Sequence, residues 1–227
     1  IAKETTLKRT IKSLTIMGRK ENEVISTAQL FYPSMQVTDI FHMDIDICQL
    51  GLDQRRANML AREVADKLKW KKPIAVHHHM LLGLQGIQKR NNEEETMMAS
   101  KMSKSDPKTC IYMHDTGEEI KRKINSAFCP MKVIEGNPIL EYAKHIIFKE
   151  FKELKLERDK KFGGDISFFN YDELESEFSN GNVHSQDLKN TVAIHLDKLI
   201  NPTRKYFEKN KKAKELYNLV SEYAITR

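Results

Sequence analysis

The sequence predicts an α/β chain, with a parallel sheet in its first half and a mostly helical second half. Three observations carry that reading. "DIDICQLG" (44–51) and "PIAVHHH" (73–79) have the composition of short strands, the first closed by Gly51 and the second opened by Pro73. Between them, "DQRRANMLAREVADKLKW" (53–70) puts Met59, Leu60, Val64 and Leu68 on one helical face and Arg, Lys and Glu on the other. After residue 114 the pattern is a run of helices. Strand, helix, strand is a βαβ unit, so ligands are expected at the carboxyl ends of its strands. The domain boundary reads as 113/114, giving 1–113 and 114–227.

Each element follows in order. Residues 2–17 space Leu7, Ile11 and Leu14 as one buried helical face, and Gly18 ends that helix. A second helix is expected over 22–31, then "FYPSMQVTDIFHM", with Pro33 suited to a first helical turn. From Gly83 to Ser105 the pattern is a polar loop, of a length usually reserved for lids or disorder. Thr116 and Glu119 resemble a capping box. Asn137 and Pro138 suit the cap and first turn of the helix in "NPILEYAKHIIF". "FGGDISFF" reads as a turn and strand, "YDELESEF" as a helix, and two last helices are expected near 185–200 and 211–224.

The bulk composition bounds the function classes. With 227 residues, 40% hydrophobic, the chain can bury a core; 31% charged residues and a net charge of +6 fit a polyanionic partner without singling one out. Cys48, Cys110 and Cys129 show no metal spacing and are odd in number, so reduced thiols are expected rather than a disulfide frame. No apolar run approaches the roughly 20 residues of a membrane span, and no signal peptide is evident. The chain opens at Ile1 rather than Met, which suggests upstream sequence.

Four stretches offer chemistry. Tyr32, Gln36 and Asp39 stand at i, i+4 and i+7, so a helix lines up a hydroxyl, an amide and a carboxylate. That row can sort a small polar ligand, although spacing alone favours a solvent-facing stripe. In "LGLDQ" (50–54), Gly51, Asp53 and Gln54 lie where a doubly wound sheet holds ribose and phosphate; Asp53 as a plain helix cap is equally compatible. His77 and His79 alternate with His78 on a strand, and no second cluster has the spacing of a zinc site, so no metal is expected. Finally, Lys101 and Lys104 in "KMSKS" (101–105) are two ammonium groups able to close on a triphosphate.

"KMSKS" is the signature of class I aminoacyl-tRNA synthetases. With "YPSMQVTDI", "LGLDQRRANMLARE", "NSAFCP", "GNPILEYAKHIIF", "KFGGDISF" and "NVHSQDLKNTVA", the chain resembles the tyrosyl-tRNA synthetases of the archaeal and eukaryotic type, over about residues 24–208. The tryptophanyl enzymes share the signature and are the alternative relatives. The resemblance implies the second half of a Rossmann-type nucleotide-binding catalytic domain, followed by a mostly α-helical anticodon-binding domain. It implies that Tyr32, Gln36 and Gln54 hold tyrosine, and that Asp39 accepts the bond from its phenolic hydroxyl, the contact that separates it from phenylalanine. Gly51 and Asp53 would meet the ribose of ATP, while Lys101 and Lys104 would stabilise its phosphates. Phe162, His184 and Asp187 would grip the first anticodon base of tRNA(Tyr) by stacking and by reading a base edge.

The implied substrates are L-tyrosine, ATP with Mg²⁺, and tRNA(Tyr), with no tightly bound cofactor; the implied enzyme is a cytoplasmic homodimer with no membrane association. The chain departs from the family in lacking a His-x-Gly-His motif, and "HHHM" does not replace it. It is therefore expected to be the carboxyl-terminal portion of a longer enzyme, holding half an active site. A non-catalytic tRNA-binding or pseudo-synthetase module, and a structural half of an asymmetric dimer that binds tRNA for a partner's active site, are the other readings. The run around 88–99 is longer than the family pattern.

Overall fold

Strands β1 (Ile47–Gly51) and β2 (Ile74–His78) pair in parallel, Ile47 opposite Ile74 and Gly51 opposite His78. This is the expected βαβ unit. The computed structural model describes residues 1–17, 26–91, 93–103 and 106–223, and the chain divides into two units, Ile1–Met80 and Leu81–Arg227.

In the first unit the helices are α1 (Leu7–Ser13), α2 (Thr27–His42) and α3 (Arg55–Leu68). Ala57, Leu60, Ala61, Val64 and Ala65 of α3 recur at helical spacing and are buried. They form a core with Val37 and Ile40 of α2 and Cys48 of β1. Lys69 ends α3 in the left-handed conformation, with φ 57°.

Two expectations change here. Pro33 lies inside α2, not in its first turn, because the helix already begins at Thr27, where Gln29 Oε1 accepts from Ser26 N at 2.9 Å. Pro33 gives up one backbone bond, yet its ring is buried on the inward face with Ser34, Val37 and Ile40. The separate helix expected over 22–31 is thus, from Thr27 on, the first turn of α2; residues 22–25 lie outside the described residues.

The second unit holds α4 (Glu93–Ser100), α5 (Gly117–Ser126), α6 (Pro138–Tyr142), α7 (Phe148–Glu150), the antiparallel pair β3 (Leu154–Leu156) and β4 (Ile166–Phe168), α8 (Tyr171–Asn180), α9 (Ser185–Lys209) and α10 (Lys211–Glu222). A π-helical turn, Ala143–Ile147, joins α6 to α7. The capping box is present: Thr116 N donates to Glu119 Oε2 at 2.8 Å and Glu119 N to Thr116 Oγ1 at 3.2 Å. Asn137 caps α6 through Ile139 N, 3.1 Å. Helix α5 packs along α9 over Ile120, Ile124, Leu188, Val192 and Leu196.

Three further differences have local causes. The stretch 83–105 is not all loop: α4 forms in it, since Glu, Met and Ala are strong helix formers. Ser100 ties that helix down, donating to Thr96 O at 2.6 Å and accepting from Gln88 N at 2.7 Å. Helix α9 continues past Pro202 to Lys209, nine residues beyond the expected 200. The units divide at Met80/Leu81, whereas the sequence reading divided at 113/114. Leu84 lies inside the second unit's core, with Leu81, Met102 and Ile111 packed against that core, so the described part of the signature is held in this unit through Met102.

Candidate functional site

Helix α2 carries Tyr32, Gln36 and Asp39 on one face, with Tyr32 and Asp39 exposed and Gln36 half-buried. Gln36 Nε2 donates to Gln54 Oε1 at 3.1 Å, linking α2 to the turn that follows β1. Gln54 Nε2 in turn donates to Ile16 O at 3.1 Å and to Asp53 Oδ2 at 3.2 Å. The carbonyl oxygen of Gln36 is buried and finds no donor among the described residues. A buried acceptor without a donor is costly, and it suits a cationic ligand group.

Gly51 stands at the carboxyl end of β1, as expected. A β-carbon there would come within 2.6 Å of Met80 Sδ and 2.7 Å of Asp53 Oδ1, so any larger residue would have to displace these two side-chain ends. Gln36, Gln54, Asp53 and Gly51 are thus brought together at the carboxyl end of β1, while Tyr32 and Asp39 are exposed elsewhere along α2. His77, on β2, lies 3.1 Å from Asn58 Nδ2 through Nε2. Burial lowers its pKa, helped by the charges of Arg55 and His78. Sequence reasoning weighed His77 but missed Asn58, which carries no motif and is buried on α3.

In the second unit, Lys101 forms an antiparallel bridge with Leu82, and Ser103 bridges Asp106. Thr109, buried, closes this small turn: its hydroxyl accepts from Ser103 N at 3.0 Å and donates to Asp106 O at 2.7 Å. Lys104, with Ser105, lies outside the described residues. Among the described residues no group of three or more His, Cys, Asp or Glu could hold a metal ion. Nor is any described helix long and apolar enough to cross a membrane. Cys48, Cys110 and Cys129 are buried free thiols.

The anticodon candidates come from two turns. Phe162 ends the 3-10 turn Lys160–Phe162, before Gly163 in the left-handed conformation at φ 95°. His184 caps α9, its Nδ1 accepting from Gln186 N at 3.1 Å, and Asp187 follows in the first helical turn. Arg158 joins these turns: Nε donates to Gly164 O at 2.9 Å and Nη1 to Asn182 O at 2.9 Å. Beside it, a hydrogen bond from Lys155, then one from Arg158 N, lowers the pKa of Asp165. Arg158 went unread because its partners are backbone carbonyls, which leave no trace in residue type.

Residues 1–201 match the family model described as tRNA synthetases class I (W and Y). The chain is 46% identical over 242 residues to the tyrosine–tRNA ligase of Thermococcus sibiricus, covering 100% of this chain and 64% of that protein. The corresponding figures for Saccharolobus solfataricus are 44% over 233 residues, 100% and 63%. Among solved structures, the tyrosyl-tRNA synthetase of Pyrococcus horikoshii complexed with L-tyrosine superposes with a TM-score of 0.86 at 44% identity, covering 95% of this chain and 62% of that one. The Leishmania major tyrosyl-tRNA synthetase in complex with tyrosinol gives 0.80 at 37%, covering 96% and 32%. The chain thus spans just under two thirds of the length of the curated relatives it matches.

Proposed function

This chain belongs to the family of class I tRNA synthetases of the W and Y type, and we propose that it is part of a longer tyrosine–tRNA ligase. In this reading the enzyme joins the carboxylate of L-tyrosine to the α-phosphate of ATP, releasing pyrophosphate, and passes tyrosine from the adenylate to tRNA(Tyr). The likeness to tyrosine–tRNA ligases at 44–46% identity favours this branch over the tryptophan one.

The observation that carries the proposal is the row Tyr32–Gln36–Asp39 tied to Gln54 at the carboxyl end of β1. The unpaired oxygen of Gln36 and the hydroxyl of Tyr32 receive the α-ammonium of tyrosine, and Asp39 accepts from its phenol. Gly51 offers bare backbone and Asp53 a carboxylate to the ribose hydroxyls. ATP enters as its Mg²⁺ complex, with Lys101 and Lys104 stabilising charge that develops on its phosphates. Such a reaction needs positioning and electrostatics rather than a nucleophilic side chain. In the second unit Phe162, His184 and Asp187 meet the first anticodon base, within an anticodon-binding domain. A homodimer acting in the cytoplasm completes the proposal, the latter supported by the three free thiols.

Tyrosine-dependent ATP–pyrophosphate exchange on the full-length protein tests this. Gln36→Leu is expected to raise the KM for tyrosine. Lys104→Ala should lower kcat about a hundredfold with tyrosine binding nearly intact. Asp187→Ala should weaken tRNA charging and spare exchange. Exchange that does not depend on tyrosine, or a Lys104→Ala enzyme at full rate, would refute the reading.

A further inference from the structure

A second concave site lies in the Leu81–Arg227 unit, about 340 Å³ in volume, between the carboxyl end of α9, the helix α10 and the turn before α5. It is lined mainly by apolar surface, with His114, Phe207 and Tyr217 as its rings and Arg204, Lys214, Asn218 and the acid Glu208 among its polar groups. From the geometry and charge of this pocket we infer that it binds one unpaired nucleotide of an RNA, the base among the rings and a phosphate at Lys214.

The rings form a continuous set. Tyr112 stacks on His114 at 5.2 Å with 6° between planes; His114 lies 5.8 Å from Tyr217, and Phe207 lies 6.1 Å from Tyr217. Tilts of 55° and 63° at Tyr217 leave ring faces for a flat guest rather than closing a stacked pile. The floor is rigid. Arg204 donates to Asp115 O at 2.5 Å and pairs with Asp197, and Asp115 is itself held by the buried Lys123 at 2.6 Å. Arg204 is therefore committed to structure, and among the described residues that line the pocket the other cation is Lys214, which is exposed.

Charge selects the class of guest. Residues 204–214 include Arg204, Lys205, Lys209, Lys211, Lys212 and Lys214 against the single acid Glu208. A basic stretch beside exposed aromatic faces is how proteins hold single-stranded nucleic acid, since every base offers a π-face and every linkage a charge. An acidic peptide would satisfy the lysines but give the rings nothing flat to stack on. The site is separate from the anticodon candidates: Asp187 and Arg204 are 17 residues apart on α9, about 25 Å along its axis. It also reaches beyond the family match, which ends at residue 201, before Phe207 and all of α10.

This inference rests on the proposed role as a tRNA-handling protein, and the test separates the two. The probes are a tRNA(Tyr) transcript and a short unstructured RNA oligonucleotide, both fluorescently labelled and titrated with the full-length protein at several salt concentrations. Tyr217→Ala should weaken binding of both about tenfold, and Tyr217→Trp should restore it. Lys214→Ala should weaken binding and reduce the salt slope by about one. Tyrosine-dependent exchange should be unchanged in all three. If Asp187→Ala weakens tRNA binding while Tyr217→Ala and Lys214→Ala bind both RNAs like the parent, this inference is overturned and the proposed function stands. If no variant changes RNA binding, this inference and the anticodon role of Asp187 both fall, while tyrosine-dependent exchange still decides the proposed function. Lys214 is a surface residue, so its result decides the matter even if Tyr217→Ala disturbs α10. An acidic peptide that binds through Lys214 while RNA binding ignores it would also overturn the assignment.

Discussion

The Ile1–Met80 unit and the Leu81–Arg227 unit cover their apolar surface in different ways. In the second, α5, α6, α8, α9 and the β3–β4 ribbon surround a core in which Ile120, Ile124, Ile139, Leu154, Leu156, Leu174 and Phe178 are fully buried. In the first, α2 and α3 cover one face of the two-stranded parallel sheet through Cys48. The other face carries Ile47, Ile74 and Val76, which are 59%, 57% and 44% exposed. Parallel sheets are normally covered on both faces. The unit that carries Tyr32, Gln36, Asp39 and Gln54 is thus the one that leaves a sheet face uncovered among its described residues.

Hydrogen exchange on the whole chain gives this comparison its largest test. Amides of α5 and α9 should open only with global unfolding, at about 5–15 kcal/mol. Amides of β1 and β2 should exchange through much cheaper local opening. Equal protection in the two units would break the comparison.

The next effect lies in the second unit. Lys123 and Asp115 form a salt bridge of 2.6 Å with side chains only 7% and 5% exposed, and Lys123 also sits 4.6 Å from the centre of the Tyr112 ring. Asp115 further accepts from Tyr112 N at 2.8 Å. Lys123→Ala would strand a buried carboxylate, costing about 3–5 kcal/mol. Chemical denaturation should show this as a lower midpoint with an unchanged slope. The double change Asp115→Asn, Lys123→Met should recover part of the loss, and if it does not, packing rather than charge is the cause.

In the first unit the corresponding sensitivity is functional. Asp39 is exposed on α2, so Asp39→Ala should leave folding nearly intact. A hydrogen bond to a charged group contributes about 1.5–3 kcal/mol, so selectivity for tyrosine over phenylalanine should fall roughly ten- to a hundredfold. The measurement is the ratio of kcat/KM values for the two amino acids in the full-length enzyme. An unchanged ratio would remove Asp39 from the pocket.

How much of this could be read in the sequence also differs between the units. In the first, periodicity gave α3 and its buried Leu60 and Val64, and Gly51 and Pro73 bracketed the crossover. The Gln36–Gln54 bond was not readable, since two amides 18 residues apart meet only once α2 packs over the end of β1. In the second unit the caps at Thr116 and Asn137 were visible because capping is local. Strand β3 was missed because Leu154–Leu156 is too short to show alternation. Helix α9 runs on to Lys209 with Pro202 inside it, beyond the 200 expected from sequence. Arg158 and Lys123 act through partners distant in sequence or on the backbone, and residue type alone says nothing of either.

The smallest expected effect is a pH dependence confined to the first unit. The ring of His77 is packed against Asn58, and burial, then the charges of Arg55 and His78, lower its pKa below the ordinary histidine value. The unfolded chain therefore binds more protons than the native one between the two values. By linkage, stability falls as pH drops through the unfolded value near 6.5 and stops falling below the native one. His77→Gln keeps a hydrogen-bonding partner for Asn58 but has no proton to gain. Its denaturation midpoint should be flatter over this range than the parent's, with exchange in α3 following the same trend and α5 unaffected. A parent whose stability rises on acidification would mean that His77 is held by an anionic partner instead, and the electrostatics assigned to the end of β2 would have the wrong sign.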